Sequence, residues 1–555
     1  MDVSAASVSA VVRERAVREP DRVCLTFHGP GGRAEAISYG TLARRADAWT
    51  TVVAERGLGP PDAVVLFADS TPGFVAAFLG AQAGGLLAVP CPPPEPLETA
   101  RRVRERVADI VARVGARAFL HPGGSPPGDD DGAGAGAGAP VIEGAEADRA
   151  LARAAAPGRP PREGPFAYCQ FSSGTGGQVK GVLLTHANVA ANIAAMTEGF
   201  GLGPGDVLVT WLPLSHDMGL VAYVLMPLVL GLPGHLLSPV AFITHPGSWL
   251  SLITRVRGTV SAAPNFAYAL CARKVAADEA SGLDLSSWRI ASNGSEAVTR
   301  EAVEAFVRRF EPHGFRRDAL LPCYGLAENT LCATSRRPGQ GPRFEEVSRA
   351  ALEAEGVARP AAPGRVVASV GAPLPGHGVA VLGADGRPAP ARAVGEVAIR
   401  GASVMSGYLP GTPAASPFTP GGWLRTGDLG YLADGELFLV GRAKDVIVRA
   451  GRKYQPQDLE DALDGLGGVR PGRVAAFSVP GPQREQVVIP LERRPEWEGA
   501  AGALEAAVAA AVFARTGLAP DEVIVLPRNA LPLTTSGKVM RPEARRLYLE
   551  DRWRS

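Results

Sequence analysis

Between Gln170 and His186 the chain reads Gln-Phe-Ser-Ser-Gly-Thr-Gly-Gly-Gln-Val-Lys-Gly-Val-Leu-Leu-Thr-His. Hydroxyls at Ser172, Ser173 and Thr175, glycines at 174, 176 and 177, and the cation of Lys180 are packed between apolar flanks. Glycines let backbone N–H groups turn toward an anion, hydroxyls donate further hydrogen bonds, and a lysine adds a point charge. That is the chemistry of a phosphate cradle. It is not the usual P-loop, which needs Ser or Thr after the lysine, because Lys180 is followed by Gly181.

Four more polar groupings stand where strands should end, the place at which open α/β sheets hold ligands. They are Trp211 to Asp217, which contains His216; Ser292-Asn293-Gly294-Ser295-Glu296; Tyr324-Gly325-Leu326-Ala327-Glu328; and Trp423 to Asp428, which ends in Thr426-Gly427-Asp428. Taken singly, each has an ordinary explanation. An Asp after Thr-Gly is commonly a turn former, Glu328 alone could cap a helix, and a Lys after Ser-Gly is commonly a solvated turn residue.

The elements that must position these loops alternate strand and helix. Arg22 to Phe27, Ala63 to Phe67, Leu87 to Pro90 and Val207 to Trp211 read as strands, and Thr41 to Arg56, Phe74 to Gly84 and Thr299 to Phe310 as helices. The expected fold class is α/β, with doubly wound parallel sheets covered on both faces. From Pro122 to Pro140 a Gly/Ala-rich insertion lacks the apolar residues to form a core of its own. Past Arg442 the charged run Ala443-Lys444-Asp445 marks a boundary, followed by a small α+β unit with strands over Val474–Val479 and Gln486–Leu491 and an Ala-rich helix over Ala500–Arg515.

A chain of 555 residues is too long for one core and suggests roughly three or four packed units. A net charge of +1 gives no electrostatic case for nucleic acid. The six cysteines are scattered, without C-x-x-C pairs or zinc spacing, so they read as reduced residues of a cytoplasmic protein. The apolar run from Gly219 to Leu237 is broken by Pro227, Gly231, Pro233 and His235, so a buried helix and turn are expected rather than a membrane span. No basic start followed by an apolar core marks a signal peptide.

Taken in order, the motifs resemble those of the adenylate-forming superfamily of acyl-activating enzymes. The phosphate loop, Tyr324-Gly-Leu-Ala-Glu328, Thr426-Gly-Asp428, Gly441-Arg442 and Leu531-Pro-Leu-Thr-Thr-Ser-Gly-Lys538 match five of its elements across nearly the whole chain. The resemblance implies a large N-terminal adenylation domain over 1–442, with a barrel-like subdomain, and a mobile C-terminal domain over 443–555 that swings about Lys444. By the same resemblance, the loop residues 172–177 with Lys180 hold the phosphates of ATP, Tyr324 stacks on adenine beside Asn293, Gly294, Ser295, Gly325, Leu326 and Ala327, and Asp428 and Arg442 take the ribose. Glu328 holds Mg²⁺, and Lys538 bridges the acyl oxygen and the α-phosphate.

The wording of Phe171 to Gly177, Pro213 to Leu220, Ala263 to Tyr268 and Ser292 to Glu296 resembles the fatty acyl-AMP ligase branch. That branch passes the acyl group to the phosphopantetheine thiol of an acyl carrier protein, here in trans, in lipid, polyketide or nonribosomal peptide biosynthesis. His216 then belongs to the catalytic site at the carboxylate end of an acyl pocket shared with Asn265 and Phe266, without acting as a base, since a carboxylate is already ionised near neutral pH. The long stretch from about 335 to 367, with a helix expected over Phe344–Glu355, corresponds to an insertion thought to restrain the small domain and disfavour coenzyme A.

Val179 before the phosphate-loop lysine, Ser215 in the His-Asp motif and Lys453-Tyr454-Gln455 depart from the branch's usual residues. An acyl-CoA synthetase using free coenzyme A and a non-catalytic nucleotide- or carrier-binding relative remain alternatives.

Overall fold

The computed structural model describes residues 7–94, 100–123, 138–153, 162, 164–172, 180–411, 416–449, 452–481, 484–533 and 539–553. Most of the Gly/Ala-rich insertion, Ser173 to Val179 of the phosphate loop, Gly451, and Lys538 lie outside the described residues, and Ser172 is described in its backbone alone.

Two large sheets form the N-terminal part. The nine-stranded sheet runs from an edge at Ala372–Pro373 through Cys332–Ser335, Leu320–Gly325, Ile290–Asn293, Val260–Ala263, Leu208–Thr210, Gly234–Leu237 and Val23–His28 to Ala34–Ser38. Its six central strands are parallel and its outer pairs antiparallel. The seven-stranded sheet runs Gly407–Tyr408, Lys180–Leu184, Tyr168–Ser172, Leu87–Cys91, Ala63–Phe67, Ala118–His121, Val141–Glu143. The continuous apolar strand Ala63–Phe67 is buried at every residue, as a parallel strand covered on both faces should be. The helix Pro72–Ala83 is apolar all round and buried, entered through the Thr71 hydroxyl, which accepts from Phe74 N–H.

A four-stranded antiparallel sheet, His377–Leu382, Gly395–Gly401, Leu424–Ala433 and Glu436–Arg442, makes the third unit. The C-terminal unit has a long strand, Glu485–Arg493, flanked by Val469–Val474 and Phe477–Pro480 on one side and Glu522–Leu526 on the other. Helix Ala501–Thr516 packs Leu504, Val508 and Val512 onto this sheet and ends at Gly517 in the left-handed conformation, φ 71°, which glycine adopts without steric cost. The arrangement is α/β, with large N-terminal sheets and a small α+β C-terminal unit. Among the described residues no helix is long and apolar enough to cross a membrane.

Two local expectations are corrected. Phe344–Val347 is a strand pairing with Arg365–Ala368, and the helix is confined to Arg349–Ala354. Ser348 separates them, its hydroxyl accepting from Ala351 N–H as an N-cap. The expected strand Val474–Val479 is instead two strands that meet at Ala475-Ala476, because both pair in turn with the one long strand Glu485–Arg493.

Candidate active site

The parallel strands of both sheets deliver their C-terminal ends to one crevice of about 3720 Å³, walled on the far side by the C-terminal unit. It is lined by Gln170, His216, Asn265, Phe266, Ser295, the run Tyr324 to Glu328, Asp428, Arg442 and Lys444. Leu533 and Val539, on either side of 534–538 in sequence, bridge to each other and line the same crevice.

At one end, register places Asp428 opposite Arg442 on adjacent antiparallel strands. The Tyr324 hydroxyl donates to Asp428 Oδ2 at 2.6 Å, and Arg442 Nε lies 3.2 Å from Asp428 Oδ1. Burial pushes the Asp428 carboxyl up, opposed by Arg442 and by the Tyr324 hydrogen bond, so the carboxylate depends on those two partners for its charge. Lys444, beside them, is brought down to about 8 by burial. Gly325 is required sterically: a Cβ there would lie 1.8 Å from the Leu331 carbonyl, where Leu326 N–H also donates.

Glu328 sits on the tight turn that follows. Burial raises its carboxyl, and the Tyr408 hydroxyl, which donates to Oε1 at 2.9 Å, works the other way. The turn closes through Thr330 at φ 65°, a costly conformation for a β-branched residue, held by its hydroxyl donating to Ser403 O at 2.7 Å. Among the described residues no group of three His, Cys, Asp or Glu is placed to hold a metal alone. A single buried carboxylate with one oxygen engaged nevertheless suits Mg²⁺, which takes its other ligands from phosphates and water.

His216 caps the short helix Asp217–Leu220, its Nδ1 accepting from Met218 N–H at 3.3 Å and lying 2.6 Å from Asp217 Oδ1. The turn before it is compact: a Cβ on Gly219 would meet Pro213 O at 2.2 Å. Gln170 donates to Ser215 O at 2.5 Å. Asn265 braces the neighbouring loop, accepting from Asn293 Nδ2 and Thr299 N–H. Phe266 N–H donates to Glu296 at 2.6 Å, and the Phe266 ring stands edge-on to Trp211. Asn293 is wholly buried and stands behind the crevice wall. Gly294 packs against Cys323, where a Cβ would come within 2.8 Å of both oxygen and sulfur.

The AMP-binding enzyme family model matches residues 12–409. The chain belongs to that family. It is 36% identical over 527 residues to a putative acyl-CoA synthetase of Caulobacter vibrioides, covering 94% of this chain and 91% of that protein. It is 35% identical over 504 residues to the medium-chain-fatty-acid–[acyl-carrier-protein] ligase JamA of Moorena producens, covering 86% and 85%. A solved structure from a study of fatty acyl-adenylate ligases of E. coli and L. pneumophila superposes with a TM-score of 0.88 at 32% identity, over 100% of this chain and 99% of that one. The chain is thus an AMP-binding ligase of the fatty acyl-AMP and acyl-carrier-protein ligase type.

In this AMP-binding ligase the crevice has a second, apolar arm. Met196 and Phe200, from helix His186–Phe200, line it with Tyr223, Met226, Val260 and Ile290. All six are buried, so the arm runs into the interior. Tyr223 belongs to a π-helical turn, Val221–Leu225, inserted between α-helical segments; such turns re-aim side chains and recur at functional sites.

Sequence reading missed three further features. Tyr408 links Glu328 to Lys180, whose Nζ lies 4.6 Å over its ring; the only signal was Ser-Gly-Tyr after a strand. Arg349 and Arg365, within the stretch 335–367, reach Asp458 of the C-terminal unit at 3.8 and 2.8 Å, and Glu353 lies 3.6 Å from Arg452. Nothing local in the sequence pairs residues so far apart.

Proposed function

We propose that this AMP-binding ligase activates a fatty acid with ATP to an acyl-adenylate, releasing pyrophosphate, and transfers the acyl group to the phosphopantetheine thiol of an acyl carrier protein acting in trans. The observation that carries this reading is one crevice joining two chemistries: polar lining by Asp428, Arg442 and Glu328, with Lys180 linked to Glu328 through Tyr408, and a buried apolar lining. JamA is named for that acceptor class.

Asp428 and Arg442 offer hydrogen bonds of both senses to ribose hydroxyls, and Lys180 offers a cation to phosphate. Glu328 is the residue that would hold Mg²⁺, which when bound neutralises phosphate charge. The apolar arm takes the alkyl chain and leaves its carboxylate near His216, in position for in-line attack on the α-phosphate. Lys538, which directly precedes Val539 in sequence, enters for adenylation and withdraws for transfer as the C-terminal unit (443–555) turns about Lys444. The stretch 335–367, paired to that unit through Asp458, restrains the turn and disfavours free coenzyme A.

The test is ATP–pyrophosphate exchange over straight-chain acids of graded length, followed by coenzyme A or a phosphopantetheinylated carrier as acceptor. Exchange with fatty acids and transfer to carrier alone is expected. The Caulobacter relative's name supports a second reading, an acyl-CoA synthetase, and ready thioester formation with coenzyme A would decide for it. Absence of exchange with every acid would leave only a nucleotide-binding role.

A further inference from the structure

Lys180 and Glu328 lie on different elements, one opening a strand of the seven-stranded sheet and the other on a turn beyond the nine-stranded sheet. Both are joined by the segment Ala402–Leu409. On one edge Ser406 N–H donates to Leu183 O and Leu409 N–H to Gly181 O, with Tyr408 in register with Val182. On the other, Met405 N–H donates to the Glu328 carbonyl at 2.8 Å and Thr330 Oγ1 to Ser403 O. Asn188 fixes the segment from below, its amide donating to Ala402 O and Val404 O.

Tyr408 stands where these bonds converge. Its hydroxyl donates to Glu328 Oε1 at 2.9 Å, and its ring lies under Lys180 Nζ at 4.6 Å. A lysine and a buried glutamate that share one neighbour can close into a direct ion pair, which would silence both toward a ligand. No such pair joins Lys180 to Glu328 among the described residues. The ring offers the ammonium its negative face, while the hydroxyl holds one carboxylate oxygen of Glu328.

We propose that Tyr408 is a positioning residue for the triphosphate: its ring keeps Lys180 apart from Glu328, and its hydroxyl orients the Glu328 carboxylate. The proposal rests on the adenylating reading above, and the two fail differently.

Two variants separate the contacts. Tyr408→Phe keeps the ring beneath Lys180 and loses the hydroxyl; Tyr408→Leu loses both and allows Lys180 and Glu328 to meet. The full chain and each variant are titrated calorimetrically with ATP and with AMP, in Mg²⁺ and in EDTA, after thermal melting shows that each is folded. Tyr408→Phe is expected to weaken ATP binding about tenfold in Mg²⁺, the lower end of the scale for one lost hydrogen bond to a charged group, with no change in EDTA. Tyr408→Leu is expected to weaken ATP binding at least about tenfold in both media. AMP, which lacks the outer phosphates, should bind all three alike.

ATP affinity unchanged in Tyr408→Phe with Mg²⁺ would overturn the hydroxyl's role. Loss of AMP and ATP binding in equal proportion would overturn the proposal as a whole and make Tyr408 a packing residue. Failure of the unaltered chain to bind ATP would overturn the adenylating reading itself, and the inference with it.

Discussion

The polar and apolar ends of the crevice are built by opposite means. At the polar end each group is held by named partners over short distances: Asp428 by Tyr324 and Arg442, Glu328 by Tyr408. At the apolar end no single contact defines the site. Met196, Tyr223, Met226, Val260 and Ile290 come from two helices, a π-turn and two strands and share only burial and a common cavity. A polar site depends on direction, so removing one donor leaves a buried partner unsatisfied. An apolar site depends on volume, so removing one side chain redraws its boundary.

That contrast sets the largest expected effect at the polar end. Lys538→Ala should lower ATP–pyrophosphate exchange by about a thousandfold, the scale for loss of a group acting on charge that develops in the transition state. Thiol transfer from preformed acyl-adenylate should stay near its normal rate. Equal loss in both half-reactions would break the division of labour between the two poses.

The apolar end should respond by changing preference. Met226→Ala shortens a fully buried side chain on the arm, and an acid two carbons longer should gain about 15-fold in relative kcat/KM, since each buried methylene is worth about 0.8 kcal/mol. A uniform loss across all chain lengths would mean that Met226 supports the core and does not bound the substrate.

The same contrast explains how much was legible beforehand. Tyr324, Glu328, Asp428 and Arg442 stood out as polar residues expected at strand ends, and all four line the one crevice, with Gly325 beside them tolerating no side chain against Leu331. The alternation of strand and helix gave both large sheets, since parallel strands such as Ala63–Phe67 must be apolar throughout. The apolar arm was invisible, because Met, Val and Ile in a cavity wall look the same in sequence as Met, Val and Ile in a core. Tyr408 was passed over because its partners, Lys180 and Glu328, are 228 and 80 residues distant in sequence order. The strand at Phe344–Val347 was read as helix because Arg-Phe-Glu-Glu-Val fits either period, and only pairing with Arg365–Ala368 decides between them.

The seam between residues 335–367 and the C-terminal unit lies between these two cases: polar in its contacts, yet set by tertiary proximity. Arg365 and Asp458, 2.8 Å apart, are 14% and 15% exposed in their side chains. Arg365→Ala leaves Asp458 with Arg349 at 3.8 Å as a weaker partner, and should cost about 1–3 kcal/mol of docking. Coenzyme A thioester formation should rise about fivefold with exchange unaltered, as a freed unit samples the transfer pose more often. No gain in coenzyme A use would show that the seam has no part in acceptor choice.

The smallest effect lies a turn further along the same unit. Asp461 is pushed up to about 7 by burial, with Asp464, Asp458 and Glu460 adding like charge and Gln457 Nε2, donating at 2.7 Å, opposing it. Its folded pKa lies above the unfolded value near 3.8, so between those two values the folded chain binds more protons than the unfolded one. Stability from this group is therefore full below about pH 4 and is lost as pH rises through about 7. Asp461→Asn keeps the Gln457 contact and removes the charge, and because solvent reaches part of the side chain the gain at pH 8 should be about 1–2 kcal/mol rather than the full linkage value. Melting of the variant and the unaltered chain from pH 5 to pH 8 measures it: the two curves should diverge as pH rises. Parallel curves would place the Asp461 carboxyl in water, and with it this flank of the seam.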